Sequence, residues 1–181
     1  ALPAAGHSIT AVYGGDADFT GSTSSVLTQT VNQASTTTAV VSNLNPSSFG
    51  QSVTFTATVS STGGTPTGTV QFKDGVVNLG AAQTLSGGVA TLTTGALGAG
   101  THSITVEYAG DANFTASASS ALSQTVNQAG STTAVTSNLN PSSFGQSVTF
   151  TATVSSGGGT PTGTVQFKDG VTNLGTAQTL A

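Results

Sequence analysis

A repeat with a period of 95 residues constrains this chain more than any other feature of its sequence. The segment 43–85 returns nearly unchanged as 138–180, and residues 1–34 match residues 96–129 at the same spacing. Self-similarity at a fixed period is the sequence signature of a chain built from repeated structural units. A unit of this length can bury one hydrophobic core, and it has the size of a small β-sandwich.

The repeat also predicts the domain boundaries. We expect residues 1–34 to be the C-terminal part of one unit (strands F and G), residues 35–129 to be a complete unit, and residues 130–181 to be the N-terminal part of the next (strands A to D). The join between units, residues 126–132, is short and carries no Pro-rich or charged spacer. Units joined so closely are expected to stack end to end with limited bending.

Both ends of the sequence fall within a unit, so we expect these 181 residues to be a window on a longer chain of similar units. A partial sandwich cannot bury a full core by itself. The competing hypothesis is head-to-tail assembly of identical chains, in which residues 130–181 of one molecule complete residues 1–34 of the next. That composite would lack the counterpart of residues 87–95, and a foreign strand would fill the gap by β-augmentation.

Apolar and polar residues alternate with a period of two, which predicts strands throughout and no helix. The clearest case lies between Val53 and Val59, where every second residue is apolar and the residues between are threonines. A turn is expected around Pro46, and Gly75 signals a hairpin because glycine tolerates positive φ. The predicted strands of the complete unit are 37–42, 51–60, 69–73, 76–79, 82–85, 89–94, 101–108 and 119–126. Seven or eight short strands of this kind are typical of an all-β sandwich with immunoglobulin-like topology.

The composition excludes several functions. Charged residues make up only 4% of the chain, and Lys73 and Lys168 are its only cations. No basic patch can form, so recognition of nucleic acid through its phosphates is excluded. The chain has no Cys, hence no disulfide framework and no thiolate metal site. It also lacks an apolar run long enough for a transmembrane helix, so we expect no membrane insertion.

Three segments carry a resemblance to a known family. The sequences NPSSFGQSVTFTATV, TPTGTVQFKDG and THSITVEYAGDANF together resemble the group-3 bacterial immunoglobulin-like domain repeat, over essentially the whole chain. The resemblance implies a non-catalytic sandwich module that occurs in arrays, in large surface or secreted bacterial proteins and often in the stalks of adhesins. Where the first copy has Val12 and Asp18, the second has Glu107 and Asn113, and both changes are expected at the surface.

Two aspartate turns are candidates for metal sites. Asp16 with Asp18, and Asp111 with Asn113, have the spacing that begins a calcium loop, but the glycine and glutamate that an EF-hand requires do not follow. We expect an Asx turn between strands F and G instead, in which the carboxylate accepts backbone N–H bonds. A calcium ion shared with a neighbouring loop is the alternative.

Histidine and tyrosine recur once per unit on strand F. A zinc site takes three ligands or more, so His7 and His102 are expected to cap one pole of the core rather than to bind metal. Tyr13 and Tyr108 stand where immunoglobulin-like sandwiches often place a structural tyrosine corner.

The two lysines are candidate partners in an isopeptide bond, which some surface immunoglobulin-like domains carry. That bond needs a buried lysine, whereas Lys73 and Lys168 each precede a hairpin turn and have the parity of outward residues. We expect solvated turn charges. Residues 113–115 fit a glycosylation sequon by pattern, and the serines of 117–120 could carry O-glycans or form a solvated strand edge.

The predicted function is structural: a rod-like spacer in an extracellular bacterial stalk, adhesin or filament. Its partners would be neighbouring repeats of the same chain or identical chains in a head-to-tail filament. The alternative is a surface module that binds carbohydrate or a partner protein through its loops. That role requires exposed aromatic residues, and the only candidates, Phe49 and Phe144, are expected to close the core instead.

No enzyme is predicted. The chain has no G-x-S-x-G elbow, no phosphate-binding glycine loop before a helix and no paired carboxylates on facing strands. We therefore assign no catalytic, cofactor-binding or metal-binding residue and expect no cofactor.

Overall fold

The fold is all-β, as predicted. The structure, a computed structural model, describes residues 1–181 and contains twenty strands and no helix. No segment therefore forms a helix of the length and apolarity needed to cross a membrane. In residues 1–34 the strands are β1 (Ala5–Ile9), β2 (Val12–Tyr13), β3 (Ser22–Thr23) and β4 (Leu27–Val31). In residues 35–129 they are β5 (Thr37–Ser42), β6 (Ser47–Ser48), β7 (Val53–Ser60), β8 (Thr69–Asp74), β9 (Val77–Asn78), β10 (Gln83–Thr84), β11 (Val89–Thr94), β12 (Gly100–Tyr108), β13 (Ser117–Ala118) and β14 (Leu122–Asn127). In residues 130–181 they are β15 (Ser131–Ser137), β16 (Phe150–Ser156), β17 (Thr164–Val165), β18 (Lys168–Asp169), β19 (Thr172–Asn173) and β20 (Gln178–Thr179).

Two sheets organise residues 35–129. The larger has the strand order β10-β8-β12-β14-β6, with β9 also paired to β8 and β13 to β12. Its centre is the antiparallel pair β8–β12, while β14 and β6 run parallel. The smaller sheet has the order β11-β7-β5, and β5 and β7 pair antiparallel along their whole common length. Two sheets of this topology correspond to an immunoglobulin-like sandwich.

The core consists of alternate residues from strands of both sheets. On β7 every second residue from Val53 to Val59 is buried, and the threonines between them are half-buried or exposed, so the threonines point away from the core. On β12 the side chains of Ile104, Val106 and Tyr108 are buried. Fully burying an apolar side chain of this size stabilises a fold by roughly 1.5–3 kcal/mol relative to leaving it exposed. The period-two pattern thus locates the hydrophobic core correctly.

Residues on either side of this region form smaller sheets of their own. In residues 1–34, β1 pairs with β4 and β2 pairs with β3. In residues 130–181, β15 pairs with β16, β17 with β20 and β18 with β19. The repeat boundaries at residues 35 and 129 stay a prediction.

The contacts within the chain group into two compact units. The first comprises residues 1–43, 54–93 and 103–124, and the second comprises residues 44–53, 94–102 and 125–181. The first contains the Asp111 turn (residues 111–114), and the second contains the Phe49 turn (residues 47–51). Each turn is described below within its own unit.

Most predicted strands are confirmed, and three local features differ from the predictions. Residues 37–42 and 89–94 form strands with the predicted bounds. The Asn45–Pro46 peptide bond is cis, and it is followed by the short strand β6 rather than by an open turn. Gln124 is fully buried on β14, on the same face as Leu122 and Val126, although its side chain is polar. Phe49 and Phe144 are exposed and do not close the core, contrary to expectation.

Candidate functional site at two turns

The Asp111 turn is built on a carboxylate whose two oxygens both accept hydrogen bonds. Oδ1 accepts the backbone N–H groups of Asn113 (2.8 Å) and Phe114 (3.0 Å). Oδ2 accepts the backbone N–H of Thr67 (3.1 Å) and its hydroxyl (2.5 Å). The Asx turn that the sequence predicts is therefore formed, and the carboxylate also holds the loop that contains Thr67.

These bonds stabilise the ionised form of Asp111. The Thr67 hydroxyl, followed by the backbone N–H groups of Asn113, Thr67 and Phe114, lowers the pKa of Asp111 to about 2. Burial, followed by the nearby charge of Asp111, raises the pKa of Tyr108 above its usual value. The buried phenol and the ionised carboxylate thus lie at the same end of β12.

The counterpart turn in residues 1–34 keeps the same local bonds. Asp16 Oδ1 accepts the backbone N–H groups of Asp18 and Phe19, both at 2.9 Å. Its Oδ2 accepts the hydroxyl of Tyr13 at 2.8 Å. The hydrogen bond from Tyr13 lowers the pKa of Asp16, and the same bond raises the pKa of Tyr13. Asp16 therefore forms the same kind of Asx turn as Asp111.

The Asp111 turn also binds the segment that leads into residues 35–129. The Gln33 amide donates to the carbonyl of Asp111 at 2.7 Å, and Ala34 forms a parallel bridge with Phe114. The side-chain oxygen of Asn113 accepts the backbone N–H of Ala4 at 2.9 Å. Asn113, the residue of the sequon pattern, therefore has a structural role at this connection.

The histidine side chains and one serine side chain take part in local contacts. Nε2 of His7 lies 2.8 Å from the carbonyl oxygen of Pro3, and Nε2 of His102 lies 2.9 Å from that of Gly98. Each ring therefore contacts the backbone carbonyl of the residue four positions earlier in the chain. Ser119 Oγ accepts the backbone N–H of Val106 at 2.9 Å, so this serine is used in the sheet.

Lys73 has a partner that the sequence did not predict. Its Nζ lies 2.6 Å from Oε2 of Glu107, on the neighbouring strand β12. The pair is partly exposed, so its contribution to stability is small, about 0–1 kcal/mol. The expectation of a simply solvated charge was wrong, because cross-strand neighbours cannot be read from a single strand's parity.

The Phe49 turn lies against residues 156–159, which we call the glycine loop. This loop consists of Ser156 and three glycines. A Cβ added to Gly50 would lie 2.3 Å from the carbonyl oxygen of Gly158, and a Cβ added to Gly159 would lie 3.5 Å from Cε1 of Phe49. Gly50 also has a φ of +85°, a conformation that favours glycine. The two backbones can approach so closely because neither carries a side chain at the contact.

An open cleft lies beside this contact, with a volume of about 470 Å³. Phe49, Ala129, Gly159, Thr160 and Pro161 are among its lining residues. Phe49 is 42% exposed, so part of its ring faces the cleft. No cluster of three or more His, Cys, Asp or Glu side chains that could hold a metal ion is present in the structure.

The two sheets of residues 35–129 and their buried apolar core define the class of immunoglobulin-like sandwich modules. A family model for the bacterial Ig-like domain (group 3) matches residues 36–127 and again residues 135–181, and the chain belongs to this family. Domains of the family are typically non-catalytic and occur commonly in surface-exposed and extracellular proteins. No match was found among curated proteins or among solved structures.

Sequence reasoning found the Asp111 turn and missed the role of the Phe49 turn. The D-A-N pattern between two strands is a local signal, and it is sufficient to predict an Asx turn. The Phe49 turn contacts a loop more than 100 positions away in the sequence, so no local pattern could reveal this contact. The one available signal was the run of three glycines at 157–159, where the earlier copy has Thr62 in place of Gly157.

Proposed function

We propose that this chain is a structural spacer of an extracellular bacterial stalk, adhesin or filament. Tandem units of the group-3 bacterial Ig-like family, joined with hardly any linker, would hold a distal domain at a set distance from the cell surface. The observation that carries the proposal is the sequence repeat together with the family match over both copies. Because each unit contacts only its neighbours in such arrays, length can be adjusted by adding or removing units.

Two features of the chain support a spacer. The joins are short, and the segment at Gln33 and Ala34 is hydrogen-bonded to the Asp111 turn rather than left as a free linker. The surface carries few charges, so adjacent units would not repel each other strongly. The partners of each unit would be neighbouring units of the same chain or identical chains, arranged head to tail as a rod.

The spacer role is tested on the bacterium that carries the parent protein. An antibody raised against this chain should label the cell surface, and electron microscopy should show the label at a fixed distance from the envelope. Deleting one 95-residue unit should shorten that distance by about one sandwich length, roughly 40 Å for strands of this size. Label confined to the cell interior, or a distance that does not change on deletion, would contradict the proposal.

A second candidate function is recognition of a carbohydrate or a partner protein through the loops. It is favoured by the exposure of Phe49 and Phe144, since exposed aromatic side chains are common contact residues in binding sites. A glycan array probed with the chain tests it, with Phe144→Ala as the matched variant. Specific binding that this variant loses would favour recognition over a purely structural role.

A further inference from the structure

Residues 111–115 read Asp-Ala-Asn-Phe-Thr and contain an asparagine that is followed two positions later by a threonine. This pattern is the acceptor sequence for N-glycosylation of secreted proteins, and it requires that the residue between the two is not proline. No other asparagine of the chain satisfies the pattern, since Asn45 and Asn140 are each followed by proline and the rest lack the hydroxyl residue. Asn113 is therefore the one acceptor that the sequence offers.

The Asx turn places the Asn113 side chain at the surface of the complete unit. The Asp111 carboxylate accepts the backbone N–H groups of Asn113 and Phe114, so the chain bends at this point. Ala112 and Asn113 are exposed, whereas Phe114 is buried. A glycan is bulky and strongly hydrated, so it needs an attachment point in solvent. The turn provides one without exposing the apolar residue beside it.

The two ends of the Asn113 amide have different roles. Oδ1 accepts the backbone N–H of Ala4 at 2.9 Å, while Nδ2 donates no hydrogen bond to another residue. N-glycosylation attaches the sugar to Nδ2 and leaves Oδ1 as a carbonyl oxygen, which still accepts hydrogen bonds. The modification is therefore compatible with the bond to Ala4 and with the fold of the turn.

Thr115, the hydroxyl residue of the pattern, serves the fold through its backbone. Its N–H donates to the carbonyl of Ala34 at 2.9 Å, and its own carbonyl accepts the hydroxyl of Thr36 at 2.8 Å. Neither bond uses the Thr115 side chain. The hydroxyl that an N-glycosylation acceptor requires is thus not occupied by either of the bonds that hold this segment in place.

We infer that Asn113 is an N-glycosylation site. The donor is a glycan linked to a membrane lipid through a diphosphate, and the catalyst is an oligosaccharyltransferase of the cell. Nδ2 bonds to C1 of the first sugar as the bond from C1 to the diphosphate oxygen breaks. Nδ2 gives one proton to a base of the transferase, and the lipid diphosphate leaves. The inference rests on the extracellular location in the proposed function, because such donors are used during export.

The composition of the chain gives the glycan a role. Charged residues make up only 4% of the sequence, so charge repulsion contributes little to keeping separate molecules apart. A glycan supplies hydration without charge. At Asn113 it would cover the connection at which Gln33 donates to the carbonyl of Asp111.

Mass spectrometry of the parent protein, isolated from the surface of the bacterium that makes it, tests the inference. Cleavage after Tyr108 and Phe114 releases residues 109–114, a peptide that contains no serine or threonine. A glycan on this peptide therefore cannot be O-linked to either residue type, and fragmentation should locate it on Asn113. Recovery of the peptide without any glycan would overturn the inference. The spacer role, tested by surface labelling, would still stand in that case.

The counterpart turn is the control within the same molecule. Cleavage after Tyr13 and Phe19 releases residues 14–19, which have Asp18 in place of the asparagine and also lack serine and threonine. This peptide should carry no glycan. Asp18→Asn completes the pattern there, because Thr20 is already present, and it should add a second glycan when the variant is produced in the same bacterium.

A substitution at Thr115 separates recognition of the pattern from the stability of the fold. Thr115→Val removes the hydroxyl and keeps both backbone bonds, so the glycan on Asn113 should be lost while thermal unfolding of the purified chain changes little. Thr115→Ser keeps a hydroxyl and should keep the glycan. A glycan that persists in Thr115→Val would overturn the inference, because the modification would then not depend on the acceptor pattern.

Discussion

At the scale of single residues, the ionised carboxylate of Asp111 is the most consequential polar group. It accepts four hydrogen bonds, two of them from Thr67 on a different loop. A carboxylate so placed fixes two loops at once, and removing its charge affects both. The same turn at Asp16 has Tyr13 as its side-chain donor, so the geometry tolerates a change of partner.

The lowered pKa of Asp111 predicts a loss of stability in acid. The folded-state pKa of about 2 lies below the ordinary value of 3.8 for an aspartate, so the stabilisation is fully present above about pH 4 and is lost as the pH falls towards 2. Asp111→Asn should be less stable than wild type at pH 7, because an amide nitrogen cannot accept the Thr67 bonds. The stability of this variant should also depend much less on pH in the acid range. Thermal unfolding followed by circular dichroism from pH 2 to pH 7 measures both effects.

Asp169→Asn is the control for this experiment, since it removes one carboxylate from an exposed turn. It should leave the difference between pH 7 and pH 3 close to that of wild type. Equal behaviour of Asp111→Asn and Asp169→Asn would show that the hydrogen bonds at Asp111 contribute little.

At the scale of elements, the same sequence occurs in two different environments. Strand β7 lies within a core and has a buried residue at every second position, whereas β16, its counterpart, has no buried residue. The difference cannot come from local propensity, because the two strands are nearly identical in sequence. The difference in burial comes from which other strands pack over the apolar face of β7 and of β16.

This contrast predicts unequal costs for the same substitution at two equivalent positions. Phe55→Ala should destabilise the protein by about 3–5 kcal/mol, since it removes a fully buried ring and leaves a cavity. Phe150→Ala should cost about 1 kcal/mol or less, because the ring is 47% exposed and makes a tilted contact with Phe167. Urea unfolding at low protein concentration measures the difference, and equal costs would mean that Phe150 is also buried.

The sequence alone was sufficient to predict the strands, but it was not sufficient to predict which other strands and loops pack over them. Period-two alternation locates β7 and β12, because one face of each strand is buried and the other is not. The period of two places Gln124 on the same face as Val126, but its polar side chain gives no sequence signal of burial. Phe49 and Phe144 were also mispredicted, because both lie in turns outside any strand, where alternation does not indicate the direction of a side chain. The Asp111 turn was predictable since it is local.

At the scale of the whole molecule, contacts between repeated segments depend on small residues. The Phe49 turn approaches Gly158 backbone to backbone, and the Phe49 N–H donates to the carbonyl of Asn127 at 2.8 Å. The approach is possible because Gly50 and Gly158 carry no side chain. A single methyl group should therefore be enough to disturb it.

Gly50→Ala should disturb this contact, and Gly145→Ala should not. Both substitutions place a Cβ at positive φ and share that strain, roughly 1–2 kcal/mol. Only the Cβ at position 50 would also lie 2.3 Å from the Gly158 carbonyl oxygen. Hydrogen exchange measured by mass spectrometry should show faster exchange in residues 47–51 and 156–160 of Gly50→Ala than of wild type. If Gly145→Ala has the same effect on those residues, the contact is not what Gly50 preserves.

The pairing of Lys73 with Glu107 has a consequence for digestion. Trypsin-like proteases cut after Lys or Arg, and this chain offers them only Lys73 and Lys168. Lys73 lies on β8, which is paired with strands on both sides, and its ammonium group is engaged by Glu107, so cleavage there requires local unfolding. Lys168 lies on an exposed two-residue strand. Brief trypsin treatment should therefore release the peptide 169–181 and leave residues 1–168 intact, and a first cut at Lys73 would show that β8 opens easily. A protein that works outside the cell would gain durability from this scarcity of cleavage sites.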